Sequence, residues 1–208
     1  RPVKLVVTRA QMFTSNGYRP LTVQRLRLGA DANGRLLSVR HDAVTQSSMP
    51  EVGRFVEAVT KPTRMLYTSP AIAAAQHLVT VNQGEPTYMR APGEAPGMFA
   101  LESAMDELAV ALRMDPLAVR LANYAERDPT ENKPFASKAL RACYDQAASR
   151  FGWEKRSFAP GSMRDGRILV GWGMATSVYP TNRQSASARV RLLPDGSAVV
   201  QSGTQDIG

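Results

Sequence analysis

The sequence predicts an α+β fold in which β-hairpins and small sheets pack with helices. Three observations carry that prediction. Asp31-Ala-Asn-Gly34 lies between two alternating apolar stretches, a hairpin signal. Met98, Leu101, Met105, Leu108 and Leu112 recur at helical spacing. Pro194-Asp-Gly196 separates two further short stretches, 188–192 and 198–202, that alternate with period two.

Taken in order, residues 3–7 read as a strand, and 21–28 and 36–41 as hairpin arms, with Asn33-Gly34 supplying positive φ at the turn. Residues 52–59 read as a short helix or an edge segment. Residues 65–67 and 77–81 read as strands on either side of a small-residue stretch, 71–75. Pro92 and Pro96 disfavour the αR region for Ala91 and Ala95, so the long helix is expected from about Gly97 to Leu112. Its apolar face is core, and Glu102, Asp106 and Glu107 are expected off that face. Asp115 can cap a second helix, 116–126, with Pro116 at its first position and Leu117, Val119 and Leu121 in the core. Ser137 can cap a third, with Leu140, Tyr144 and Ala147 or Ala148 inside and Gly152 as its stop. Beyond it, Arg164-Asp-Gly-Arg167 reads as a turn and 168–178 as an apolar strand. In the last hairpin Ala188, Val190, Leu192, Ala198 and Val200 are expected to face a core, with Arg189 and Arg191 on the other side. Trp153 and Trp172 read as packing residues. The natural division is into two lobes: 1–151, carrying a loop around Arg90, and a β-rich 152–208, carrying a loop over 203–208. There is no solenoid repeat.

At 208 residues the chain can build a real core. No apolar run approaches the length of a membrane span, and the apolar segment at the start is too short for a signal peptide, so a soluble protein is expected, cytoplasmic or periplasmic. The chain starts without methionine and stops within a glycine-containing loop, which reads as a fragment. Its only cysteine, Cys143, excludes an intrachain disulfide and reads as a buried thiol. His41 and His77 are isolated, so no protein-ligated metal is expected. The net charge of +8 admits a nucleic-acid binder. Against it, Arg25, Arg27, Arg40, Arg64, Arg141, Arg189 and Arg191 are scattered, with no aromatic-rich strand or basic helix among them.

The candidate site is Met89-Arg-Ala-Pro-Gly-Glu-Ala-Pro-Gly97. An arginine-led loop that runs into a helix N-terminus brings a guanidinium together with unpaired amides and partial positive charge. That combination suits an oxyanion, a phosphate or a metal-oxo group. The competing reading is a tight loop that caps an ordinary core helix.

This loop, the following Glu102-Ser-Ala-Met-Asp-Glu-Leu-Ala109 and Met114-Asp-Pro-Leu-Ala-Val-Arg-Leu-Ala-Asn123 stand in an order that resembles the molybdopterin-binding (large) subunit of the xanthine dehydrogenase/aldehyde oxidase family. The likeness is greatest to bacterial aldehyde oxidoreductases. It extends to the first five residues and to Ser202-Gly-Thr-Gln-Asp-Ile-Gly208. The resemblance implies part of a molybdopterin-binding domain, with the cofactor, in its cytosine dinucleotide form, held by hydrogen bonds. It implies an enzyme that oxidises aldehydes or aromatic heterocycles with oxygen from water and passes electrons to an iron-sulfur subunit and an FAD-binding subunit. Neither nucleic acid nor membrane is then an expected partner. Arg90 is implied as the catalytic contributor. Arg90, Ala91, Gly93, Gly203, Thr204, Gln205 and Gly208 are implied as cofactor contacts, with no metal ligand among them. Many relatives have an aromatic residue two positions after the arginine; Pro92 in that place favours an aldehyde over a purine. The family's glutamate base belongs to a later Gly-Glu motif, so these 208 residues alone are expected to be inactive. Two rivals remain: a non-catalytic interaction module on the same scaffold, and the basic nucleic-acid-binding domain.

Overall fold

The structure is a computed structural model that describes residues 3–49, 51, 54–180 and 185–203. It divides into two compact units, residues 1–178 and 179–208. The first unit holds most of the regular structure. Residues 3–7 are irregular rather than a strand. They lie exposed with no apolar face to join, and a helix follows, α1 (Arg9–Ser15), opened by a Thr8 and Gln11 capping box.

Strands β1 (Thr22–Ala30) and β2 (Leu36–Ser47) form the expected hairpin, longer than its apolar pattern. Its turn differs from expectation in one respect. Only Gly34 has positive φ, at 78°. The Gly34 N–H donates to the Asp31 carbonyl, and the Asp31 carboxylate accepts from the Asn33 and Arg35 amides at 2.9 Å. A turn built this way needs a left-handed residue only at its end.

Strand β3 (Ile72–Thr80) runs parallel to β2, giving a three-stranded sheet of order β1-β2-β3. Ala73 to Ala75 are thus within a strand, not between two, and Ala71 just precedes it. Residues 65–67 contribute only a single bridge, Tyr67 to Tyr124, after a 3-10 turn at Lys61–Arg64. Residues 54–58 are irregular, while 52 and 53 lie outside the described residues.

Helix α2 (Glu94–Leu112) starts three residues earlier than expected. Pro96 falls in its first turn, where an N–H has no intrahelical partner to lose, so the proline does not delay the helix. Helix α3 (Pro116–Ala122) is capped by Asp115 as expected but ends sooner, at Asn123, whose side chain bonds back to Val119 and across to Gly34 and Leu36. Helix α4 (Leu140–Phe151) begins after Ala139, without a cap from Ser137, and stops at left-handed Gly152. Cys143 on it is exposed, contrary to its apolar reading, because only Tyr144 of this helix is buried.

The core joins Leu36 and Val39 of β2, Leu66, Tyr67, Val119 of α3, and Met98, Leu101, Met105 and Ala109 of α2. Past α4, the strand expected over 168–178 is reduced to β5 (Ile168–Leu169), paired with β4 (Arg164–Asp165). Residues 170–178 are irregular; within them the Met174 carbonyl accepts from Arg120 of α3 and the Thr176 N–H donates to Glu102 of α2. In the second unit β6 (Ala188–Leu192) and β7 (Ala198–Ser202) pair across Pro194-Asp-Gly196 as expected. Both faces of this ribbon are exposed, so the core face expected of Val190, Leu192 and Val200 is absent within these residues.

Candidate functional site

A cleft of about 570 Å³ lies between the first half of α2 and the irregular segment 174–178. Arg90 and Ala91 stand at one end, Met98, Phe99, Met174 and Val178 give apolar walls, and Glu94, Glu102 and Asp106 add carboxylates. None of the three carboxylates is left as bare negative charge. Lys61 sits 3.0 Å from Glu94, and Arg120 lies 2.8 Å from both Glu102 and Asp106.

The loop that enters α2 is bent by two left-handed residues, Ala91 at φ 54° and Gly93 at φ 88°. Gly93 cannot be replaced by a residue with a side chain without a clash, since a Cβ there would meet the Ala58 backbone at 2.5 Å. Its N–H donates to Glu57 at 2.9 Å. Glu57 is fully buried and also binds Arg19, whose guanidinium donates to the Arg90 and Ala91 carbonyls. The Arg90 side chain is exposed. Of the other expected site residues, Gly203 is exposed just past β7 in the second unit, and Thr204, Gln205 and Gly208 lie outside the described residues.

The opposite wall rests on a buried network. Glu102 was expected off the core face of α2, yet it is only 3% exposed. It falls between Met98 and Met105 at helical spacing, which is a core position. Its Oε2 accepts from Arg120 Nε at 2.8 Å and from the Thr176 amide at 2.7 Å; its Oε1 accepts from the Tyr67 hydroxyl at 2.5 Å. Arg120 is 0% exposed and donates further to the carbonyls of Pro116, Glu102 and Met174. Burial, and after it the charge of Glu102, pushes the Tyr67 hydroxyl far above its ordinary pKa, so it stays a donor. Burial raises Tyr144 as well, and its hydroxyl meets Thr176 Oγ1 at 2.5 Å. The bonds to the Met174 carbonyl and the Thr176 N–H hold this segment against α2 without a strand.

Arg19, Glu57, Arg120 and Thr176 were missed in the sequence. The helical wheel could have flagged Glu102 as a buried carboxylate in need of a cation. Glu57 carried only a faint signal, a lone charge in the apolar run Phe55-Val-Glu-Ala-Val59.

The arrangement can receive an elongated ligand whose polar end meets Arg90 and whose body lies on methionine and valine. Residues 1–124 match the molybdopterin cofactor-binding domain, and residues 146–208 match a second domain of the same description. The chain belongs to the molybdopterin cofactor-binding domain family. It is 36% identical to the aldehyde oxidoreductase molybdenum-binding subunit PaoC of Escherichia coli O157:H7, over 100% of this chain and 28% of that protein. It is 27% identical to the putative xanthine dehydrogenase molybdenum-binding subunit XdhA of Escherichia coli K12, over 100% of this chain and 29% of that protein. Both relatives are molybdenum-binding subunits, one of an aldehyde oxidoreductase and one of a putative xanthine dehydrogenase. The chain spans 28% of the length of the first of them. The aldehyde oxidoreductase structure from Desulfovibrio desulfuricans ATCC 27774 superposes over 91% of this chain and 22% of that one, with a TM-score of 0.72 and 22% identity, which establishes the shared fold.

The molybdopterin cofactor is an anionic pterin rich in hydrogen-bonding atoms, and the residues present fit it. Arg90 and Ala91 line the cleft beside apolar walls, and the carboxylates nearby are paired with Lys61 and Arg120. Among the described residues no group of three or more His, Cys, Asp or Glu could hold a metal directly. No helix among them is long and apolar enough to cross a membrane.

Proposed function

We propose that this chain forms part of the cofactor-binding floor of a molybdenum hydroxylase that oxidises aldehydes, or aromatic heterocycles, with oxygen from water. The observation that carries the reading is the Arg90 loop, rigidly held at the end of a neutralised, apolar-walled cleft in a molybdopterin cofactor-binding domain. The cofactor, in its cytosine dinucleotide form, supplies two-electron redox chemistry when bound. Everything else falls to side chains and backbone of the protein.

Arg90 and the Ala91 backbone hold the polar edge of the cofactor. Gly93 shapes the loop, its own N–H being engaged by Glu57. Gly203, Thr204, Gln205 and Gly208 form a second contact loop, with Gln205 as its hydrogen-bonding side chain. Arg90 has a further role: its guanidinium orients the substrate carbonyl and stabilises charge that develops on the oxygen. Arg90 is exposed in this segment, and a preorganised cation contributes about 3 kcal/mol to such a step once substrate and the rest of the parent protein exclude water. The general base comes from elsewhere in the parent protein, so the 208 residues alone do not turn over. Electrons pass to an iron-sulfur subunit and an FAD-binding subunit. A boundary near residue 151 between cofactor-binding segments belongs to this proposal, supported by the second domain match starting at residue 146, although the compact units of the fold divide later, after residue 178.

The test is metal and pterin analysis of the full-length protein purified with its partner subunits, together with Arg90→Ala assayed on an aromatic aldehyde. Bound molybdenum with turnover that falls about 10²-fold in the variant, while the metal stays, supports the reading. A full-length protein with neither molybdenum nor turnover overturns it in favour of an interaction module. Steeply salt-dependent binding to polyanions would favour the nucleic-acid reading.

A further inference from the structure

Neither Arg19 nor Glu57 lines the cleft, yet both are built around the loop that does. Glu57 is anchored from β3, where the Gln76 side-chain amide donates to the Glu57 carbonyl at 2.7 Å. From that anchor its Oε1 accepts from the Gly93 N–H and from Arg19. Arg19 then donates across to two successive loop carbonyls, Arg90 O at 2.5 Å and Ala91 O at 3.4 Å. A planar guanidinium that joins a buried carboxylate to consecutive carbonyls fixes the peptide between them. That peptide carries the Ala91 N–H on one side and follows the Cα that bears the Arg90 side chain. Ala91 is left-handed, a conformation that a residue with a Cβ avoids unless its surroundings impose it. The clamp bonds the two carbonyls that flank this residue, Arg90 O and Ala91 O.

We infer that Arg19 and Glu57 are positioning residues that set the Arg90–Ala91 peptide, and so aim the Arg90 guanidinium and the Ala91 N–H at the cofactor site. The inference rests on the reading of that site proposed above. Arg19 is the better probe, being 29% exposed at its side chain, whereas Glu57 is fully buried.

In the full-length protein with its partner subunits, Arg19→Met and Glu57→Gln are made singly and together. The combined variant leaves no buried carboxylate without a cation and so guards against simple unfolding. Three quantities are read: molybdenum content, kcat and KM with an aromatic aldehyde, and hydrogen exchange at the amides of 91 and 93. The expected result for Arg19→Met is a fall of about 10²-fold in kcat with KM within about threefold. Exchange at those two amides rises about tenfold while the β1-β2 hairpin keeps its protection. Added guanidinium ion restores part of the lost kcat. Unchanged kcat and unchanged loop exchange in folded variants overturn the inference. So does loss of protection across the whole unit without rescue by guanidinium, which marks a purely structural pair. An unmodified protein without molybdenum or turnover overturns the cofactor reading itself, and the loop exchange then still reports whether the clamp exists.

Discussion

Two charged clusters grip helix α2, one at its N-terminal end and one near its middle, and they are built to different ends. In the middle, Glu102 and Arg120 are 3% and 0% exposed, and every buried polar atom of the pair has a partner. Their bonds tie two helices and the segment 174–176 into one body. At the N-terminal end, Arg19 and Lys61 are partly exposed, and one oxygen of each partner, Glu57 Oε2 and Glu94 Oε2, is buried without a hydrogen bond. Within that cluster the Lys61–Glu94 pair ties the 3-10 turn to the start of α2, while Arg19 and Glu57 hold the main chain of the left-handed loop before it. A buried polar atom left without a partner costs free energy, and left-handed backbone of the kind at Ala91 gathers where ligands bind.

The comparison breaks most visibly at Arg120. Arg120→Met leaves Glu102 buried beside nothing but neutral donors, and a loss of about 3–5 kcal/mol is expected. Urea unfolding of the chain measures it, and a loss below about 1 kcal/mol would mean the middle cluster is no more structural than the other. Gly93→Ala strikes the N-terminal end. The new methyl group meets the Ala58 backbone at φ 88°, and about 1–3 kcal/mol is expected to be lost. Exchange at the loop amides should rise in this variant, while the Tyr67 and Arg120 contacts stay intact.

The smallest effect comes from His41, which links the sheet to the start of α2. It is fully buried, with Nδ1 2.7 Å from Thr63 and Nε2 3.1 Å from Gln24, whose amide in turn donates to the Pro96 carbonyl. Burial holds its pKa below the ordinary 6.5, against the weaker pull of Asp42. The unfolded chain therefore takes up a proton that the folded chain refuses. This contribution to stability is complete above pH 6.5 and is lost as pH falls through the lower, folded value. Unfolding followed from about pH 7.5 to 5 should show that decline, and His41→Gln should flatten it.

Much of the fold was legible because its signals are local. The Asp31 to Gly34 turn, the Asp115-Pro116 cap and the Pro194-Asp-Gly196 turn each depend on a few adjacent residues, and each formed where the sequence put it. The 3.6-residue period fixed α2 and its apolar face. The Arg90 loop stood out because prolines and glycines punctuate it. Its clamp did not, because Arg19 and Glu57 lie 38 residues apart, and neither has a neighbour that announces the other. Glu102 and Arg120, 18 residues apart, were hidden for a related reason.

What the sequence determined alone was the fold class, the hairpins, the long helix and the likeness to molybdopterin-binding subunits. Local backbone preference and periodic burial write those directly into consecutive residues. What only the tertiary structure decided was which charges are buried and paired, that 72–75 joins a parallel strand, and that 170–178 forms no strand. A charged side chain or an exposed strand edge is stable or costly according to what is brought beside it, and that partner is chosen by packing across the whole unit.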